Sequence, residues 1–290
     1  MLPANFEYAR PETLEEALSL LGQYGDEAKV LAGGMSLIPM MKLRILSPAR
    51  LIDVSRLPLS YVRQEDGEIV IGGLTTHYAV ESSQPLAGRL PLLPETARTI
   101  GDVQVRNRGT IGGSLAHADP SADMPAAVLA LDARIVATSQ RGERTIPAGE
   151  LFQGVLTTSL EPDELLTEMR LPAMPPRTGS AYVKAPHKAS CFAVVGVAAV
   201  VTLAPDGVCS AARVAITGVS FNAYRAPAIE AALVGRHLDE STIRETAHLA
   251  TTDHHVLSDV WASAEYRSHL CSVYVGRALR LARDRAVAPS

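Results

Sequence analysis

The chain has 290 residues, 47% of them apolar and 20% charged, with a formal net charge of −4. That length allows about two domains, and the composition supports a packed core rather than disorder. The slightly acidic balance argues against a general nucleic-acid binder, and no apolar run approaches the roughly 20 residues of a membrane span.

Pro11-Glu12-Thr13 followed by Leu14, Ala17, Leu18 and Leu21 predicts a first helix over 11–24. Lys29-Val30-Leu31-Ala32 reads as a strand, and Leu37 to Leu46 as helical or irregular. Arg50 to Val54 and Glu68 to Gly73 read as further strands, the latter after an Asp66-Gly67 turn. Helical texture follows over Thr76–Val80, Leu92–Ile100 and Met124–Leu131. Ala133–Ser139 and Arg144–Ile146 look like paired strands, and Leu165–Leu171 is one more, closed by Pro172. Three prolines between Pro172 and Pro176 cannot sit in a regular element, so the domain boundary falls near 175. Beyond it, Ser180–Lys184, Ala193–Leu203 and Ala211–Gly218 predict a three-stranded antiparallel sheet. Helices are expected over Ala228–Val234, Ser241–Thr251 and Ala264–Ala286. The alternation of short strands and helices gives an α+β class.

Cys191, Cys209 and Cys271 are widely spaced and form no Cys-x-x-Cys, so the chain offers no iron–sulfur or zinc cradle of its own. They read as free thiols in a reducing compartment. The segment Met1–Phe6 shows neither a basic n-region nor a long apolar one, so a cytoplasmic location is expected.

Two similar glycine pairs carry the chemistry. One is Ala32-Gly33-Gly34-Met35-Ser36, the other Thr110-Ile111-Gly112-Gly113-Ser114. Paired glycines let backbone N–H groups approach a ligand that a Cβ would hold off, and successive N–H groups make an anion-binding nest. The closing serine adds a hydroxyl donor. Two such loops predict a grip on the two phosphates of a dinucleotide. A third pair, Gly72-Gly73, lacks the serine and reads as a plain strand-end turn. Neither a Rossmann fingerprint nor a Walker loop is present. The run Val105–Asp123 is polar and small enough to shape a ligand surface. Within it, Asp123 would either accept ligand hydroxyls or compensate the start of the following helix. His117 reads as a packing or capping side chain, and Lys184 as a strand-edge cation or a cation near the cofactor.

The runs Leu31–Arg44 and Val105–Pro120 closely resemble the FAD-binding medium subunits of molybdenum hydroxylases, of the carbon monoxide dehydrogenase and xanthine dehydrogenase type. Ile216–Val219 and Ser263–Leu270 resemble that family's C-terminal segments, so the likeness spans essentially the whole chain. It implies an FAD-binding domain over 1–175, built of two small α/β subdomains (about 1–57 and 58–175) like those of the vanillyl-alcohol-oxidase group. A flavoprotein C-terminal domain over 176–290 would carry the antiparallel sheet and a helical bundle.

Carried over residue by residue, Lys29, Val30, Leu31, Ala32, Gly33, Gly34, Met35 and Ser36 would wrap the FAD pyrophosphate. Thr110, Ile111, Gly112, Gly113 and Ser114 would complete the grip. Ile100 and Leu166 (with Leu165 as the register alternative) would pack on the cofactor, Asp123 would bind its ribose or ribityl side, and Lys184 would reach it from the C-terminal domain. No residue is expected to be catalytic and none to bind metal. The resemblance further implies a large molybdopterin subunit, a small subunit with two [2Fe–2S] clusters, a dimer of heterotrimers, and electron flow through FAD to an external acceptor. Family members often carry Gly-Asp-Tyr-Ala where this chain has Ser190-Cys191-Phe192-Ala193, a difference expected to alter the flavin's surroundings. From the residues alone, a stand-alone flavoprotein oxidase or reductase and a non-enzymatic assembly subunit are the alternatives.

Overall fold

The computed structural model describes residues 2–287. Near the N-terminus, Glu7–Ala9, Arg50–Asp53 and Ala28–Leu31 form a parallel three-stranded sheet with Arg50–Asp53 in the middle. The helix Leu14–Tyr24 buries Ala17, Leu18 and Leu21 in the small core beside this sheet, and the Thr13 side chain caps it by accepting from Glu16 N.

A five-stranded antiparallel sheet follows, in the order Val62–Glu65, Glu68–Gly72, Leu165–Leu171, Arg134–Ser139, Gly142–Pro147. The helices Leu92–Thr99, Ile111–His117 and Met124–Ala130 share one core with it. The helix Met124–Ala130 is buried at every position, which explains why its sequence is apolar all round.

Across the 172–177 connection lies a four-stranded antiparallel sheet, Thr178–Pro186, Ala193–Leu203, Cys209–Thr217 and Tyr224–Arg225. Its fourth strand, two residues long, was absent from the three-stranded expectation. Tyr182, Ala198 and Val200 on one face join the core of the preceding region, while Ala181, Val197, Ala199 and Val201 on the other join a core with the long helix Ala264–Val287. Burial on both faces accounts for the unbroken apolar run of Ala193–Leu203. The helices Pro227–Leu233 and Glu240–Ala247 complete that second layer. Arg267, 4% exposed near the start of the long helix, donates to the carbonyls of Val194, Gly218 and Leu257 and to Asp259, tying four segments together. Among the described residues no helix is long and apolar enough to cross a membrane.

Candidate functional site

The two glycine pairs lie side by side. An ideal Cβ on Gly33 would stand 2.0 Å from the carbonyl oxygen of Arg108, and one on Gly113 would stand 4.0 Å from the Ala32 Cβ. The first pair is a loop between the strand Ala28–Leu31 and the helix Leu37–Lys42, and Gly34 takes φ +75°, a left-handed conformation that favours glycine. Among the described residues, the N–H groups of Gly33, Gly34, Met35 and Ser36 donate to no protein acceptor. Four consecutive N–H groups without a protein acceptor are what an anion-binding nest requires. Lys29, Val30 and Leu31 form the strand leading into it, in register with Leu51, Ile52 and Asp53. Lys29 shares a strand face with Leu31, whose Cδ1 lies 3.2 Å from a Cβ built on Gly34, and Lys29 has no carboxylate partner among the described residues.

The second pair differs from its expected form. It is not a loop after a strand: it follows the helix Val103–Arg108, and Ile111–His117 is itself helical, with Thr110 as its N-cap. Its N–H groups are consumed by the fold. Ile111 donates to Thr75 O, Gly112 to Gly73 O at 2.9 Å, Gly113 to the Thr110 hydroxyl at 3.1 Å, and Ser114 to Thr110 O. What it presents outward is the exposed, Cβ-free surface of Gly113 and the half-buried Ser114, whose hydroxyl has no protein partner among the described residues. Gly72-Gly73 is likewise more than a strand-end turn. A Cβ on Gly73 would meet Leu166 O at 2.4 Å, and one on Gly112 would meet Gly73 O at 2.5 Å, so backbone stacks on backbone from Leu166 to the second pair.

The remaining predicted residues gather at the boundary with the C-terminal sheet. Ile100 ends the helix Leu92–Thr99 in extended conformation, partly buried, and its carbonyl accepts from Arg106 at 2.6 Å. Leu165 and Leu166 are both buried, their side chains in different cores, so neither side chain stands open to a ligand. Leu166 reaches the glycine stack through its carbonyl. Asp123 is 5% exposed and caps no helix N–H. Its carboxylate accepts from the Tyr182 hydroxyl at 2.5 Å and from Lys184 Nζ at 2.8 Å, and Lys184 donates also to Thr99 O at 2.8 Å. Burial pushes the Asp123 carboxyl up from its ordinary range, opposed by the Lys184 cation and these hydrogen bonds; burial also drives the Tyr182 phenol well upward.

Sequence reading missed Tyr182. The signal lay in Gly196, a glycine inside a strand that otherwise packs side chains on both faces: a Cβ there would stand 2.3 Å from the Tyr182 hydroxyl. His77, in sequence only a weak polar candidate for a stand-alone flavoprotein oxidase, is here a structural group. It is buried beneath the second pair, donating its N–H to Gly109 O, and its ring sits 3.0 Å from a Cβ built on Gly109. Desolvation, with the nearby Arg106 cation, lowers its pKa to about 4. His117 is half-buried at the end of the helix Ile111–His117. The turn carrying Ser190–Ala193 meets the site through Cys191, whose Cβ lies 2.4 Å from a Cβ built on Gly101, next to Ile100.

Comparison with known proteins shows the family to which the whole chain belongs. Residues 4–174 match the family model described as the FAD binding domain in molybdopterin dehydrogenase, and residues 180–282 match the CO dehydrogenase flavoprotein C-terminal domain. The chain is 39% identical over 287 residues to the 6-hydroxypseudooxynicotine dehydrogenase complex subunit alpha of Paenarthrobacter nicotinovorans, covering 99% of this chain and 97% of the relative. It is 41% identical over 286 residues to the carbon monoxide dehydrogenase medium chain of Hydrogenophaga pseudoflava, covering 98% and 99%. A solved structure of carbon monoxide dehydrogenase from the same organism superposes with a TM-score of 0.95, at 43% identity, over 98% of this chain and 99% of that one.

Proposed function

Because this chain belongs to the FAD-binding medium-subunit family of molybdenum hydroxylases, the family of the carbon monoxide and xanthine dehydrogenase flavin subunits, we propose that it relays electrons through FAD within such a complex. The observation that carries this reading is the row of four N–H groups at Gly33–Ser36 with no protein acceptor among the described residues, beside the Cβ-free surface of Gly113 and the Ser114 hydroxyl, which likewise has no protein partner among them. An anionic diphosphate supplies the acceptors those donors lack. Gly33–Ser36 hold the pyrophosphate, Lys29 offers a cation on the nest side, and Ser114 adds its hydroxyl. Thr110, Ile111 and Gly112 keep the second segment in place. Ile100 and the Leu166 backbone border the cofactor, Asp123, held by Tyr182, serves its ribose or ribityl side, and Lys184 reaches it from the C-terminal sheet.

When bound, the flavin supplies the redox chemistry; the chain supplies binding, orientation and electrostatics. No side chain is assigned as acid, base or nucleophile. Electrons reach the flavin from the [2Fe–2S] clusters of a small partner, itself fed by a large molybdopterin subunit, and leave to an external acceptor. The working assembly is a dimer of such heterotrimers in the cytoplasm.

The test is an absorption spectrum of the untagged chain purified from its host, beside a gel of what accompanies it. Stoichiometric flavin with one larger and one smaller chain, and added iron–sulfur absorbance, is the expected result. Flavin with turnover by this chain alone would instead mark a self-sufficient oxidase, and no flavin even after reconstitution would end the proposal.

A further inference from the structure

Gly33, the first glycine of the nest, packs directly on the backbone of the second segment. A Cβ built on it would stand 2.0 Å from Arg108 O and 2.8 Å from Gly109 Cα. Gly109 in turn leans on His77. A Cβ built on Gly109 would stand 3.0 Å from His77 Cδ2 and 3.4 Å from Nε2, and the His77 backbone N–H donates to Gly109 O at 2.9 Å. His77, Gly109 and Gly33 thus form one run of close contacts that ends at the nest. Resting on the flavin reading above, we infer that His77 is a positioning residue for the cofactor: its uncharged ring sets the gap between the nest and the second segment, and protonation of that ring opens the gap and releases the cofactor.

The seat of the ring suits only the uncharged form. His77 is 4% exposed, and its Nδ1 has no hydrogen-bond partner among the described residues. A neutral imidazole leaves one nitrogen bare, which assigns the single ring proton to Nε2. An imidazolium carries a hydrogen on both nitrogens. The second would sit on a buried atom with no acceptor, and the charge itself would be buried unpaired.

The neighbouring charges do not rescue it. On the helices packed against His77–Glu81 they are Arg106 and Arg108 of Val103–Arg108 and Glu95 and Arg98 of Leu92–Thr99, while the segments 73–76 and 109–111 carry none. Its own helix adds the exposed Tyr78 and the carboxylate of Glu81. That carboxylate accepts from Arg106 at 2.8 Å and lies 3.7 Å from Arg98, and Glu95 is paired with Arg285. Burial, with repulsion from Arg106 added, accordingly holds the ring uncharged down to a pKa of about 4. A proton taken up above that point is accommodated only if the ring leaves its seat for water. Gly109 then loses its support, and the contact of Arg108 O with Gly33 loosens with it.

The test follows flavin release from the full chain as the solution is acidified from mildly alkaline conditions. Fluorescence reports the released flavin, and far-ultraviolet circular dichroism reports the fold. The flavin dissociation constant is expected to rise by up to about tenfold per pH unit between the ordinary value of 6.5 and about 4, the slope of one proton taken up on release. Circular dichroism is expected to be unchanged where the first flavin leaves. His77→Phe keeps a ring that cannot be charged and should lose that slope; His77→Gln is the second variant, polar and equally unable to titrate. Asp123 is present in all three proteins, so the difference in slope belongs to His77. An unchanged slope in both variants, or flavin that leaves the natural chain only as the fold is lost, would overturn the inference. Stoichiometric flavin before acidification would leave the cofactor reading standing in either case, whereas a flavin-free natural chain would remove that reading and this inference together.

Discussion

The two glycine pairs read almost alike and do different work. At Gly33–Ser36 the chain turns through a left-handed Gly34 and its N–H groups find no protein acceptor among the described residues; at Ile111–Ser114 every donor is returned to the protein. The difference comes from what precedes each pair. A strand ends at Leu31 and releases the backbone, whereas Thr110 caps a helix and takes the Gly113 N–H with its own hydroxyl. The second pair needs glycine for contact between backbones, Gly112 on Gly73, and only Gly113 for an open face. A repeated motif thus reports a shared requirement for close approach, and the partner of that approach differs.

Substitution sharpens the contrast. The largest effect is expected from Gly112→Val, because the new Cβ meets Gly73 O at 2.5 Å and backbone must move. About 3 kcal/mol of stability should be lost in denaturant titration, together with the flavin. Gly34→Ala, at φ +75° beside the movable Ile38 side chain, should cost about 1 kcal/mol and lower flavin affinity at the open nest while the fold persists. Equal loss of fold in both variants would erase the distinction between the segments.

Acid should release the second segment first. His77, buried against Gly109, has its folded pKa depressed to about 4, below the ordinary value of 6.5. The unfolded chain therefore binds the extra proton between those values. The contribution, on the order of 3 kcal/mol, is complete above pH 6.5 and is lost as pH falls toward 4. Stability measured across that window should fall less steeply in His77→Phe than in the natural chain. Thr110→Val, which removes the cap, should cost about 1 kcal/mol and leave the nest at Gly33–Ser36 intact. The smallest change is expected from Ser114→Ala: a severalfold rise in the flavin dissociation constant with thermal stability unchanged, read by fluorescence of released flavin.

Elements with a strong apolar pattern were legible in the sequence. The strands Leu165–Leu171 and Ala193–Leu203 and the long helix from Ala264 stand where hydrophobic runs placed them. Short elements held by neighbours were not. Glu7–Ala9 buries no side chain fully and exists by pairing with Arg50–Ile52, and Val103–Arg108 buries none and rests on the Asp102 cap and the Arg106–Glu81 ion pair. Within the site, the two glycine pairs that end in serine were singled out because glycine announces close approach, whereas Gly73, on which Gly112 stacks, was read as a plain turn. Tyr182 was missed, since a buried tyrosine looks in sequence like ordinary core.

The helix Ala264–Val287 covers one face of the C-terminal sheet, and a Cβ on Gly179, early in that sheet, would meet Ala282 O at 2.0 Å. Strand and cover lie about a hundred positions apart in the chain. During synthesis, the apolar strands Thr178–Pro186, Ala193–Leu203 and Cys209–Thr217 emerge well before the element that shields them. At roughly 5–20 residues per second the sheet stands with one greasy face bare for seconds, a window in which a nascent chain needs a chaperone or a binding partner to avoid sticking to its neighbours.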